Sequence, residues 1–220
     1  MDKKPASNFE AARRFAEFGL KEKAAGRRDS ASGPGSSAKA SAEALDFLRG
    51  IIAEHDIGSI LDLGCGDWHW MRKLGLPRPS GDKAVCYEGW DASEPMVASL
   101  NKEFGNETTS FKVRDITTEP YPKTELIIAR DVLFHIDLAI VESMVGRIRG
   151  AARFFATTSF LGVTRNNNIE PYLPIEGWGF HKINLDIAPF DLAGNLVGCV
   201  EETACTHTGD RRFFCLYRCE

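Results

Sequence analysis

Little in this sequence points toward a membrane, a metal or a polyanion. No apolar run comes near the roughly 18 residues needed to cross a bilayer. The opening Met1-Asp-Lys-Lys-Pro5 leads into a charged amphipathic stretch rather than an apolar segment, so no secretory leader is expected and a cytoplasmic location is. Cysteine is present but lacks pattern: Cys65, Cys86, Cys199, Cys205, Cys215 and Cys219 form no Cys-x-x-Cys pair and no cysteine–histidine cluster of zinc spacing. They read as free thiols packed like small apolar side chains, and no metal site is expected. The four that crowd the C-terminus leave a disulfide there as the lesser alternative. Excess positive charge is absent too. Lys and Arg number 27 against 31 Asp and Glu, a net charge of −4, so no global field gathers phosphates and nucleic acid is not an expected partner.

What remains is ordinary globular composition over 220 residues, enough for one domain with a small appendage. The appendage is residues 1–40. Phe9, Ala12, Phe15 and Ala16 recur at helical spacing, which predicts an amphipathic helix over about 7–25. Ser30-Ala-Ser-Gly-Pro-Gly-Ser-Ser37 follows, too rich in Gly and Pro for regular structure and at first sight a flexible linker. Phe9 and Phe15 would cover the core, pack as a lid, or meet a partner in a homodimer.

From residue 41 the hydrophobic period alternates. Ser41 is the expected N-cap of a helix over 41–55, carried by Leu45, Leu48 and Ile52. A buried strand is expected over 58–64, a helix over 69–76 closed by a Pro77–Gly81 turn, and a strand over 84–91. A helix over 94–104 and strands over 109–114 and 125–130 come next. The apolar Leu126-Ile-Ile-Ala129 suits a strand covered on both faces. A helix over 137–149 and a strand over 152–159 complete the series. Such alternation implies a parallel sheet with right-handed crossovers. The ending breaks the rhythm: 197–202 and 212–219 are β-rich, with Thr208-Gly-Asp210 as a turn, so an antiparallel hairpin closes the sheet. Between them and the fifth strand, 162–192 is too rich in Pro and Gly for a long helix.

The chemistry clusters at strand ends. Asp62-Leu-Gly-Cys-Gly-Asp67 lies where the first strand ends, and open α/β sheets bind ligands outside the carboxyl ends of their strands. Glycines there let backbone approach a ligand closely. Asp91 ends the second strand, where a carboxylate can accept both hydroxyls of a ribose. Asp115 ends the third, placed to accept from an exocyclic amine of adenine. Two nucleoside cofactors suit this crevice. NAD needs room for a pyrophosphate and a third glycine, and here Trp68 and His69 stand near that position. S-adenosylmethionine has no phosphate, and Asp62 could attract its ammonium directly or through water.

Ile60-Leu-Asp-Leu-Gly-Cys-Gly-Asp67, Trp90-Asp-Ala-Ser93, Arg114-Asp-Ile116 and Ile127-Ile-Ala-Arg-Asp-Val-Leu-Phe-His-Ile136 together resemble the class I S-adenosylmethionine-dependent methyltransferases over about residues 41–220. The family's last first-motif glycine is missing. Cys65-Gly-Asp67 followed by Trp70-Met71, with Ser32-Gly-Pro-Gly-Ser36 ahead of the core, is similar to a bacterial branch of that family. The resemblance implies an α/β, doubly wound, Rossmann-like seven-stranded sheet, with the last strand antiparallel between the fifth and sixth. It implies that Gly64 and Gly66 lie under the methionine part, Asp91 on the ribose and Asp115 near the adenine. Asp62, Asp67, Ala92, Ile116 and Arg130 complete the expected cofactor set. It also turns the Gly/Ser loop from a linker into an expected lid.

The acceptor side rests on fewer residues. Asp131 and His135 follow the fourth strand and could both face the crevice, His135 as a general base or as a packed helix residue. His181 is a further candidate. With Arg165, Asn166, Asn167, Asn168, Glu176 and Trp178 it gives the 162–192 wall a mixed polarity. That wall suits a small polar metabolite or a glycan methylated on oxygen or nitrogen. Arg130-Asp-Val-Leu133 stands where DNA amino-methyltransferases carry an Asn/Asp-Pro-Pro-aromatic motif. The rival readings are an NAD-dependent oxidoreductase on the same fold and a non-catalytic Rossmann-like binding protein.

Overall fold

The computed structural model describes residues 7–76, 84–167, 170–171, 179–205 and 211–219. The expected turns at 77–81 and 208–210, and the candidates Asn168, Glu176 and Trp178, lie outside these residues. Four helices are described: α1 (Asn8–Ala24), α2 (Ala42–Glu54), α3 (Glu94–Phe104) and α4 (Leu138–Ala151). Seven strands form the main sheet: β1 (Ser59–Leu63), β2 (Cys86–Asp91), β3 (Thr109–Val113), β4 (Thr124–Ala129), β5 (Ala152–Ser159), β6 (Leu196–Glu201) and β7 (Phe213–Arg218). Their order is β3-β2-β1-β4-β5-β7-β6. The first five run parallel, and β7 lies antiparallel between β5 and β6. This is the seven-stranded methyltransferase-type sheet the motifs implied.

Strand alternation sends the core to both faces. Along β1, Ile60 packs with α2 and α3, while Leu61 and Leu63 pack with α4. Strand order reverses between β1 and β4, since β2 and β3 follow on one side and β4 and β5 on the other. The crevice for a ligand therefore opens over the ends of β1 and β4.

Two local expectations fail. Residues 69–76 do not form an α-helix; only a 3₁₀ turn, Met71–Leu74, is present, ended by Gly75 in the left-handed region. Trp68, Met71 and Leu74 are all buried and three residues apart, and a three-residue period matches the 3₁₀ turn. Nor does the Ser41 side chain cap α2. Its hydroxyl donates to the Ser37 carbonyl, closing the preceding loop instead. That loop contains one regular turn, the 3₁₀ segment Pro34–Ser36.

Candidate active site

A cavity of about 540 Å³ opens over the carboxyl edge of the sheet. One half is lined by Gly64, Cys65 and Gly66 after β1, Asp91 and Ala92 at β2, and Arg114–Thr117 after β3. The other half is lined by Arg130–Val132 and Phe134–Ile136 after β4, Phe160 after β5, Phe180, and residues of α1 and the 31–36 loop.

The first half is built from backbone. Gly64 and Gly66 have φ of 74° and 57°, where side chains are strained. A Cβ on Gly64 would meet Val132, and one on Gly66 would collide with the Ser32 hydroxyl. Asp91 faces the cavity with both oxygens anchored: Oδ2 accepts from Gly66 N–H at 3.0 Å and Oδ1 from Ser93 N–H at 2.9 Å. Each oxygen keeps a second lone pair for a ligand hydroxyl. Burial raises the Asp91 pKa, partly offset by these backbone donors. Asp115 also lines the cavity, holding Thr117 through its N–H and hydroxyl. Arg147 fixes the same loop by donating to the Ile116, Thr117 and Glu119 carbonyls.

The loop after β1 offers no phosphate cradle. Gly66 N–H goes to Asp91, Asp67 N–H to the Ser32 hydroxyl and Trp68 N–H to the Cys65 carbonyl. No α-helix starts there to present free N–H groups to an anion. Trp68 turns into the core against Tyr87, Phe104 and Phe111. The N–H groups that a pyrophosphate would use are thus already bonded within the protein.

Two acids of the motif bond to the scaffold. Asp62 is not among the cavity-lining residues; it is buried and accepts from the Tyr87 hydroxyl at 2.7 Å. Burial pushes its pKa up to about 7. Asp67 fastens the N-terminal segment. It accepts from Lys23 Nζ at 2.8 Å, Ala31 N–H at 2.9 Å, and the Ser30 and Ser32 hydroxyls at 2.7 and 3.0 Å. Burial works against its charge, yet Lys23 and the donors of Ala31 and Ser30 hold its pKa below the ordinary value. Gly19 is needed for the same packing, because a Cβ there would strike the Ala31 carbonyl.

Beyond β4 lies a buried ionic cluster that motif reading missed. Arg130 donates to Glu202 at 2.8 Å and to the Gly35 and Ala40 carbonyls, with its guanidinium 4.9 Å from the Trp70 ring centre. Arg212 bridges Glu202 at 3.0 Å and Asp131 at 3.1 Å. The contact to Glu202 is one of charge, since the Arg212 Nε–H is not aligned on the carboxylate. Asp131 sits at φ 61° and accepts from the Thr158 hydroxyl. Burial would raise its pKa, but Arg130 and Arg212 hold it below the ordinary value. Arg130 therefore reaches the cavity as a brace for the 33–40 loop. Glu202 and Arg212 come from near the C-terminus, so no local spacing signals them.

His135 lines the cavity in the 3₁₀ turn Leu133–His135, its Nδ1 2.6 Å from the Gly179 carbonyl. A carbonyl can only accept, so Nδ1 carries the proton and Nε2 is the basic nitrogen. Burial lowers its pKa to about 4. His181 does not line the cavity. Its ring nitrogens face the Asn167 and Ile136 carbonyls at 2.7 and 2.8 Å, tying the 162–192 segment to the turn after β4. Asn166 does similar work, donating to the Asn184 and Ala188 carbonyls. Among the described residues of 162–192 only Phe180 lines the cavity.

Neither a protein-family model nor a curated protein sequence matches the chain. Solved structures do. A Burkholderia thailandensis 1,6-didemethyltoxoflavin-N1-methyltransferase, with 1,6-didemethyltoxoflavin and S-adenosylhomocysteine bound, superposes with a TM-score of 0.63 at 15% identity, over 99% of this chain and 92% of that one. Magnesium protoporphyrin IX methyltransferase from Synechocystis PCC 6803, with S-adenosylmethionine bound, gives 0.63 at 16% identity, over 98% and 99%. The [4+2]-cyclase SpnF gives 0.59 at 14% identity, over 97% of each. The chain thus has the Rossmann-like fold of S-adenosylmethionine-dependent methyltransferases. Among the described residues no helix is long and apolar enough to cross a membrane, and no cluster of metal-ligating side chains occurs.

Proposed function

We propose that the protein transfers a methyl group from S-adenosylmethionine to an oxygen or nitrogen of a small molecule. The observation that carries this reading is Asp91. Its carboxylate stands at a strand end beside a glycine loop whose N–H groups are already spent, which favours ribose binding and disfavours a pyrophosphate. The solved structures with S-adenosylmethionine or S-adenosylhomocysteine bound support the same cofactor. It would lie along Gly64–Gly66, Asp91, Ala92, Asp115 and Ile116 and supply an electrophilic methyl on sulfur. The residues beyond β4 would align the acceptor and exclude water. His135 Nε2 would take the acceptor proton, Asp131 would hold its arginine partners in place, and residues 7–40 would cover the site.

His135→Ala should lower turnover by about 100-fold while leaving S-adenosylhomocysteine affinity within about twofold. Single-turnover kinetics beside calorimetry measures both, and equal loss in both would make the histidine structural. The cyclase neighbour favours one rival, a different reaction on the same scaffold. Following radiolabel from the S-methyl group into product separates the two.

A further inference from the structure

The half of the cavity over β4 and β5 narrows the acceptor, an inference that rests on the methyl-transfer reading above. Phe134, Phe160 and Phe180 line this half and stand edge to face with one another, their ring centres 5.2–6.0 Å apart. Such mutual packing makes a fixed aromatic wall rather than three mobile side chains. The His135 ring joins it, 4.4 Å from Phe134 and 6.2 Å from Phe180. From the opposite side α1 contributes Phe9 and Phe15, with Phe15 6.3 Å from His135. Among the described residues of the neighbouring segment, the Asn166 and His181 side chains are turned to backbone carbonyls and do not line the cavity. Among the described residues, the charged, amide and imidazole side chains that line this half are Asn8, Arg28, Arg130, Asp131, His135 and Arg212, with the Gly/Ser loop beside them.

A polyol carries a hydroxyl on almost every carbon, and those laid against Phe134, Phe160 and Phe180 would meet ring carbons and no partner. A flat ring meets ring faces and edges over its whole surface and needs polar partners at one end only. We infer that the acceptor is a planar aromatic or heteroaromatic compound, lying against Phe134, Phe160 and Phe180 with a hydroxyl or N–H group directed at His135. The bond between methyl and sulfur breaks as the bond to oxygen or nitrogen forms. The sulfur keeps the electron pair, and the acceptor proton passes to the imidazole nitrogen that does not face Gly179. The polar metabolite or glycan expected from the 162–192 residues is the alternative that the test below separates from it.

The test uses the full chain saturated with S-adenosylhomocysteine, titrated with 7-hydroxycoumarin and 5-hydroxyindole as ring probes and with methyl glucoside and ethanolamine as polar probes. At least one ring probe should bind about tenfold more tightly than either polar probe. Phe180→Ala and the volume-keeping Phe180→Leu should both weaken ring binding by about fivefold, with S-adenosylhomocysteine affinity held within about twofold. Polar probes binding as well as the ring probes, ring binding indifferent to both Phe180 variants, or no ring binding by the loaded protein would each overturn the inference and leave the methyl-transfer reading standing. Failure to bind S-adenosylhomocysteine at all would remove that reading first.

Discussion

The two halves of the cavity are made differently. Over β1–β3 the walls are backbone and short acids supplied by consecutive strand ends. Over β4 and β5 they are mostly large side chains gathered from α1, residues after β4 and β5, Phe180 and Arg212, with the small residues of the 31–36 loop beside them. A cofactor site of the first kind is fixed by local chain geometry. A site of the second kind depends on tertiary packing, so it can change acceptor by exchanging rings while the sheet stays as it is. Different susceptibilities to mutation follow.

The largest effect should come from the backbone half. Gly66→Ala places a methyl group in the left-handed region and against the Ser32 hydroxyl. Strain of about 3 kcal/mol corresponds to roughly 100-fold weaker S-adenosylhomocysteine binding. Calorimetry showing less than about threefold would mean that this loop does not hold the ligand. Asp91→Ala should cost about tenfold in the same assay through loss of the ribose contact, and unchanged affinity would dissolve the contrast between the halves.

Asp67→Ala tests where the halves meet. Without the carboxylate that accepts from Lys23, Ser30, Ala31 and Ser32, the 30–32 loop loses its anchor. Limited proteolysis within 26–40 should accelerate about fivefold or more, with a smaller loss of S-adenosylhomocysteine affinity. Equal cleavage rates would show that the Arg130 contacts to Gly35 and Ala40 hold the segment alone.

The smallest effect concerns Asp62. Burial raises its pKa from the ordinary 3.8 to about 7. Between those values the unfolded chain has released the proton that the folded chain retains, so this group's stabilising contribution is full below pH 3.8 and is lost as pH rises toward 7. The melting temperature of wild type minus that of Asp62→Asn should therefore fall across pH 4–7 and level off above it. A difference that rises over this range would contradict a protonated Asp62 in the folded protein.

The backbone half was legible in sequence because its signals are local. Each signal is read within a few residues: glycines after the first apolar run, and acids at the ends of the second and third. Even there, reading stopped short of direction: Asp62 points back to Tyr87, and Asp67 faces α1 rather than a ligand. Both flank the glycine loop, and only the packing of Tyr87 and Lys23 separates them from Asp91. The other half was less legible for the same reason. Glu202 meets Arg130 across 72 residues of chain. Polar Asn166 and His181 advertised a polar wall, but their hydrogen-bonding capacity is used to fold the segment that carries them. Phe160 at the end of β5 could have been found from strand position alone.

The most direct test of the account is a thermal shift of the full chain with S-adenosylhomocysteine and, separately, with NAD. At about 100 times its dissociation constant S-adenosylhomocysteine should add ~2.7 kcal/mol of stability, or about 5–10 °C, with no shift from NAD. Stabilisation by NAD and none by S-adenosylhomocysteine would contradict it.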